Sequence, residues 1–527
     1  MHDSRSGRLK CGAMLDRPPI EFRPGDDLPA IVARFARETP ERIALVDATR
    51  TVSWRELAAA VDRVAGALAT RRGERVVVLS NNSLEYVEAF FGALRAGLCV
   101  VPLPTLASPE ALALMITDSA ASVFFASSAY RETAERLAAG RVLECVGFDF
   151  ESGSFERYER WHGGGQSFTP PPIAGSDAFD VFYSSGTTGT PKGIVHTHSA
   201  RKASYAGSRS RYFSSDAINV VATPFYSNTT CVTWFLTTAA GGTNVILGKF
   251  SPEAFADVVE RHRATHAMLV PVQYERLLES PRFANGDRSS LRYLFSTSAP
   301  LRAETKRRLL DQTNAELVEI YGLTEGGPVT VLEARHYPDK LASVGKPAPG
   351  SEVLVVDEAG RELPRGAAGE VVGRSANLMS GYLNRPDDTA AVLIQVDSGT
   401  PFFKTGDLGR FDEDGFLYLL DRKKDVIISG GFNVYATDLE AVLLGHPDVL
   451  EASVIGVPSE RWGETPLGLV VLRPGGSASA QLILEFCNAR LGKIQRLSAI
   501  EIRAELPKNA IGKVLKRELR EPYWKNS

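Results

Sequence analysis

Residues 184–193 read Ser-Ser-Gly-Thr-Thr-Gly-Thr-Pro-Lys-Gly, and no other stretch restricts the chain as tightly. Hydroxyls at Ser184, Ser185, Thr187 and Thr188, backbone amides freed by Gly186 and Gly189, and the cation of Lys192 together suit a polyphosphate. A Walker loop needs glycine before its lysine and Ser or Thr after it. Here Pro191 precedes Lys192 and Gly193 follows, so that loop is excluded. A flexible linker is disfavoured because residues 180–183 and 193–196 predict two strands, which makes the stretch a hairpin loop.

The surroundings alternate between helix and strand. Leu28, Ile31, Val32 and Phe35 have helical spacing, residues 43–46 predict a strand, and 57–70, 75–79, 83–95 and 98–103 repeat the pattern. After the hairpin, strands are expected at 219–222, 244–247, 267–270, 293–296 and 316–321, with helices near 232–239 and 252–262. Such alternation predicts an α/β fold with a largely parallel sheet and ligands at the carboxyl ends of its strands. Between 353 and 418 short strands and turns predict a small antiparallel, barrel-like layer. The charged cluster 421–425 suggests a hinge, followed by a small α+β domain. The expected division is an arm at 1–25, a large domain at 26–423, and a small mobile domain at 424–527.

Charge narrows the function. Sixty Lys/Arg against 63 Asp/Glu leave a net charge of −3, which points to neither nucleic acid nor an anionic membrane as partner. Five scattered cysteines without CxxC spacing favour a reducing compartment. Residues 1–17 lack the apolar centre of a secretory signal, and no run reaches the ~18 apolar residues of a spanning helix, so the cytoplasm is expected. His196 and His198 read as strand-end residues, without a third ligand for a metal.

Several short segments carry weaker signals. At 321–327, Thr324 could meet a phosphate and Glu325 a magnesium ion, although a capped turn reads the same way. Asp407, after Gly406, could clamp a diol or simply form a turn. From 487 to 527 there are ten Lys/Arg and four Asp/Glu, a basic stripe suited to a polyanion or to solvent.

In order along the chain, SSGTTGTPKG, YGLTE, TGD, DRKKDVIISGG and PKNAIGK resemble the adenylate-forming superfamily of acyl- and aryl-CoA ligases, firefly luciferases and peptide-synthetase adenylation domains. The resemblance covers about residues 28–520. It implies that a carboxylate attacks the α-phosphate of ATP and that a thiol, usually coenzyme A, then displaces AMP. By matching motif positions it implies that 184–192 hold the β- and γ-phosphates, Thr324 the α-phosphate and Glu325 the Mg²⁺. Asp407 and Arg422 would hold the ribose, Tyr321 would stack near the adenine, Gly322 would also line the cofactor site, and Lys513 would bridge carboxylate and α-phosphate. Lys424 would be the hinge that brings Gly430 and Gly431 to the site for coenzyme A.

Two departures fall by the expected acyl pocket of Tyr226, Ser227, Ser298, Ala299, Gly322 and Gly326. Ser227 stands where the family often has histidine, and Thr297-Ser298 replaces Gly-Gly. The expected substrate is an aromatic or medium-chain aliphatic monocarboxylate. The alternatives are loading of a carrier-protein phosphopantetheine and, in another class, an inactive nucleotide-binding sensor or scaffold. A homodimer is one option for the oligomeric state.

Overall fold

A computed structural model describes residues 20, 22, 23, 25–163, 168–184, 191–397, 399–508 and 514–524. Most of the expected arm, the loop residues Ser185–Gly189 and Lys513 lie outside these. The chain divides into two compact units, residues 1–352 with 374–393, and residues 353–373 with 394–527. This grouping places Lys424 inside the second unit, together with the strands of the small antiparallel layer.

Among the described residues, the first unit holds a nine-stranded and an eight-stranded sheet. In the larger, Ile43–Val46, Thr243–Ile246, Ile218–Val221, His266–Leu269, Tyr293–Ser296 and Glu316–Gly322 run parallel in that spatial order. Antiparallel strands, Thr51–Ser53 and Val329–Glu333, flank this parallel block. In the smaller sheet, Arg75–Leu79 lies between Cys99–Pro102 and Val123–Ala126. Beyond Cys99–Pro102 comes Ala178–Ser184, still parallel, and from there the pairing turns antiparallel to Lys192–Thr197 and then to Gly381–Tyr382.

One apolar cluster reaches both sheets, including Val76, Val78 and Val100 from the smaller and Val221, Met268 and Phe295 from the larger. Helices Leu84–Arg95 and Asn228–Ala239 supply its aromatic centre. Trp234 lies 4.5 Å from the Phe225 ring and 5.0 Å from Phe90, and Tyr86 stacks 4.9 Å from Phe225. Ser83 caps the first helix by accepting from the Tyr86 amide, and Gly97, at φ 81°, lets the chain leave it in a left-handed turn. The second helix begins at Asn228 rather than near 232, because Ser227 caps it by accepting from the Thr229 amide at 3.4 Å. The polar run 227–230 hides this first turn from apolar periodicity.

In the second unit, Phe402–Phe411 pairs antiparallel with Gly369–Ser375 on one side and with Leu417–Arg422 on the other, forming part of a five-stranded sheet. A further sheet of Phe432–Val434, Ile427–Ser429, Gly463–Leu472, Val449–Ser459 and Ala499–Ile502 packs helices Ala436–Leu444 and Ala480–Asn488 through Leu439, Leu443, Val454, Val470 and Ile483. No helix among the described residues is long and apolar enough to cross a membrane.

At Gly92 the helix Leu84–Arg95 packs closely on the helix Trp54–Ala67. A Cβ there would sit 2.5 Å from Val64 Cβ. Gly92→Ala is therefore expected to destabilise by about 1–3 kcal/mol through overpacking, although alanine favours helix. Thermal unfolding should show a lowered midpoint, with partial recovery in the Gly92→Ala/Val64→Ala double variant.

Candidate functional site

In the first unit the site is built on the hairpin of Ala178–Ser184 and Lys192–Thr197. Ser184 pairs with Lys192 and Asp180 with His196, so the glycine-rich residues join the two strand ends. The second hairpin strand is also paired on its other edge, where Tyr382 opposes Ile194. Lys192 Nζ lies 3.0 Å from Asp388 Oδ1 and 5.2 Å from the centre of the Tyr382 ring. The hydrogen bond from Lys192 holds the Asp388 carboxyl below the usual carboxylate range.

The turn after Glu316–Gly322 meets this hairpin. Tyr382 Oη donates to Glu325 Oε1 at 2.8 Å, and the Met379 amide donates to the Glu325 carbonyl at 2.8 Å. Burial, and then the Glu325 charge, push the Tyr382 phenol up, which keeps it a donor. Gly326 adopts φ 80°, and a Cβ there would collide with the Asn377 backbone, so glycine is required for the turn to close. His196 Nε2 lies 2.7 Å from the Thr324 carbonyl, and its Nδ1 lies 2.8 Å from Asp180 Oδ1.

Asp180 is fully buried. Arg201 donates to both of its oxygens, Nε to Oδ2 and Nη2 to Oδ1, each at 2.7 Å. Burial pushes this carboxyl up, but Arg201 and His196 outweigh it and hold it below the usual range. The remaining guanidinium nitrogen, Nη1, donates to Asn228 Oδ1 at 2.7 Å, which ties the cluster to the first residue of the following helix.

Of the expected acyl-pocket residues, Ser227 is occupied as a helix cap. Its neighbour Thr229 shares a hydroxyl hydrogen bond with Ser298. Ser298 has φ 79°, a left-handed conformation that costs a non-glycine residue on the order of 1–3 kcal/mol. The turn following Ser298 and Ala299 is anchored where Glu319 Oε1 accepts from the Leu301 amide at 3.0 Å. Glu319 pairs in turn with the buried Lys306. Tyr226 is partly buried, Gly322 ends its strand opposite Val329, and Tyr321 lies opposite Thr330.

In the second unit, Asp407 and Arg422 face each other across paired strands, with Arg422 Nε 2.6 Å from Asp407 Oδ1. Thr405 Oγ1 accepts from the Asp407 amide at 2.9 Å and donates to the Val371 carbonyl at 2.7 Å, fixing the bend at Gly406, φ 70°. Gly430 and Gly431 adopt φ 57° and 83° between two short strands, and a Cβ on Gly430 would press against the Trp462 ring at 2.8 Å. The Lys424 carbonyl accepts from Arg520 Nη1 at 3.2 Å.

The sequence does not mark Asp180, Arg201, Tyr382 or Asp388 as site residues, and His196 looks in it like an ordinary strand end. Asp180 alone carried a signal, an acid inside an apolar strand that must find a partner. No group of three or more His, Cys, Asp or Glu among the described residues could by itself hold a metal ion. A magnesium ion that keeps waters and takes its other oxygens from phosphates needs only one or two carboxylates. Glu325 fits that requirement, with one oxygen oriented by Tyr382 and the other outside that bond.

Comparisons with known proteins agree with this architecture. The AMP-binding enzyme family matches residues 32–383 and its C-terminal domain matches 438–513. A feruloyl-CoA synthase of an Amycolatopsis species is 33% identical over 498 residues, covering 93% of this chain and 98% of that protein. The fatty acid–[acyl-carrier-protein] ligase ScoC of Streptomyces coeruleorubidus is 31% identical over 513 residues, covering 93% and 95%. The ATP-bound crystal structure of MatB from Rhodopseudomonas palustris superposes with a TM-score of 0.83 at 31% identity, over 94% of this chain and 99% of that one. The chain therefore belongs to the AMP-binding enzyme family, within the adenylate-forming superfamily.

Proposed function

We propose that the protein is an ATP-dependent carboxylic acid–CoA ligase, which forms an acyl-adenylate with release of pyrophosphate and then an acyl-CoA with release of AMP. The observation that carries this reading is the convergence of a cation, Lys192, and an oriented carboxylate, Glu325, on one tyrosine, Tyr382. Joining a carboxylate to a triphosphate brings two anions together, which demands preorganised positive charge. Lys192 and the residues 184–189 would bind the β- and γ-phosphates, and Thr324 the α-phosphate. Glu325 would hold Mg²⁺, which when bound supplies charge neutralisation and a template for the phosphates. Asp407 and Arg422 would hold the ribose. Their mutual ion pair supports this by fixing the carboxylate's direction. Lys513 would bridge the two reacting groups, Lys424 would serve as pivot, and Gly430 and Gly431 would face coenzyme A.

The proposed acid is an aromatic or medium-chain aliphatic monocarboxylate, a reading supported by the feruloyl-CoA relative. ScoC supports one alternative, a carrier-protein thiol as acceptor.

A panel of benzoates, cinnamates and fatty acids, read by pyrophosphate release with and without coenzyme A, tests the reaction. At least one acid should release pyrophosphate and yield a coenzyme A thioester. Pyrophosphate release without any thioester would favour the carrier-protein acceptor, and no release from any acid would refute ligase activity.

With the acid so identified, the half-reactions separate the proposed roles. Lys513→Ala should slow adenylation by about 100-fold or more while leaving thioester formation from supplied acyl-AMP near the parent rate. Lys424→Pro, with its φ locked, should show the opposite pattern. Equal losses in both half-reactions for either variant would remove its assigned role.

A further inference from the structure

Asp180 has no access to solvent, and the strand around it is apolar, with Phe179, Val181 and Phe182 also buried. Placing a carboxylate there, against Arg201 and His196, carries a desolvation penalty that apolar residues of similar volume would avoid, often without loss of stability. Stability alone therefore gives no reason for the cluster. Its outward contacts do, because His196 reaches from it to the turn that carries Thr324 and Glu325.

We propose that His196 is a positioning residue for adenylation, which fixes the Thr324–Glu325 turn relative to Lys192 through its hydrogen bond to the Thr324 carbonyl. This inference rests on the ligase reading above. A carbonyl only accepts, so Nε2 must carry a proton in any charge state of the ring. Nδ1 lies 2.8 Å from Asp180 Oδ1 and 3.1 Å from Arg201 Nη2. It therefore donates to the carboxylate when the ring is charged and accepts from the guanidinium when it is neutral. The link to Thr324 survives both states.

The mechanical consequence follows from strand geometry. Lys192 and His196 both belong to Lys192–Thr197, and an even separation puts their side chains on one face. The turn hangs from this sheet at two side-chain points, Thr324 from His196 and Glu325 from Tyr382, whose backbone pairs with the same strand. The spacing between the Lys192 ammonium and the Glu325 carboxylate is thus set by a hydrogen-bonded ladder on one side and two short contacts on the other. Arg201 and Asp180 hold the imidazole at the correct angle for this, as a carboxylate orients a working histidine elsewhere.

Two substitutions each keep one half of the bridge. His196→Asn retains an amide opposite Asp180 and Arg201 but is too short to reach Thr324. His196→Gln reaches the Thr324 carbonyl and gives up the Nδ1 contact. Titration calorimetry of the full chain with MgATP, with Mg-free ATP as reference and thermal unfolding in parallel, separates positioning from bulk stability. His196→Asn should weaken MgATP binding about tenfold, more than it weakens Mg-free ATP, and His196→Gln should stay within about threefold of the parent. The inference is overturned if the Asn variant binds MgATP like the parent, or if both variants lose affinity equally and in step with their melting points. A parent chain that binds no MgATP contradicts the ligase reading itself, and the inference falls with it.

Discussion

The backbone ladder of Lys192–Thr197, hydrogen-bonded on both edges, is the constraint on which the candidate groups of the first unit depend. One edge partner contributes Asp180 and the other Tyr382, while the strand itself contributes Lys192 and His196. A strand paired on both sides has no freedom to slip, since a shift of one residue would turn every side chain to the opposite face. The cation, the imidazole and the phenol are therefore placed by main-chain hydrogen bonds rather than by side-chain packing alone. The turn that carries Thr324 and Glu325 belongs to the other sheet, and it is brought into register by contact with these placed groups.

Two ion pairs at this site serve opposite ends. Lys192 and Asp388 meet where solvent still reaches them, so the pair is weak and a polyanion can recruit the lysine at little cost. Asp180 and Arg201 meet with side-chain exposures of 0% and 6%, where removing one partner costs about 3–5 kcal/mol because the other charge is stranded. The first pair leaves the ammonium exchangeable and the second makes its scaffold rigid. On the proposed ligase reading, a site that grips a triphosphate and releases pyrophosphate needs both properties.

The repeating helix and strand pattern was readable because parallel strands are nearly continuous apolar runs, as in 75–79 and 99–102, all of them buried apart from a half-covered Arg75. The hairpin was readable from turn chemistry between two short strands. The start of helix Asn228–Ala239 was not, because its first turn is made of hydroxyl and amide residues whose function is capping. The support of the site was still less legible. Asp180 finds His196 and Arg201 at separations of 16 and 21 residues, and Glu325 finds Tyr382 at 57. Such partners are set by sheet order, which local propensity does not encode. The left-handed backbone of Ser298 was equally hidden, since a serine gives no sign that its position demands φ 79°.

The central claim is that the phosphates of ATP meet the chain between Lys192 and Glu325. A crystal structure with magnesium and a nonhydrolysable ATP analogue tests it most directly. It should show the metal bound to the Glu325 oxygen that Tyr382 does not hold, with the terminal phosphates beside Lys192 and the Asp388 contact given up. A triphosphate bound away from the hairpin, with Lys192 still paired to Asp388, would contradict the account.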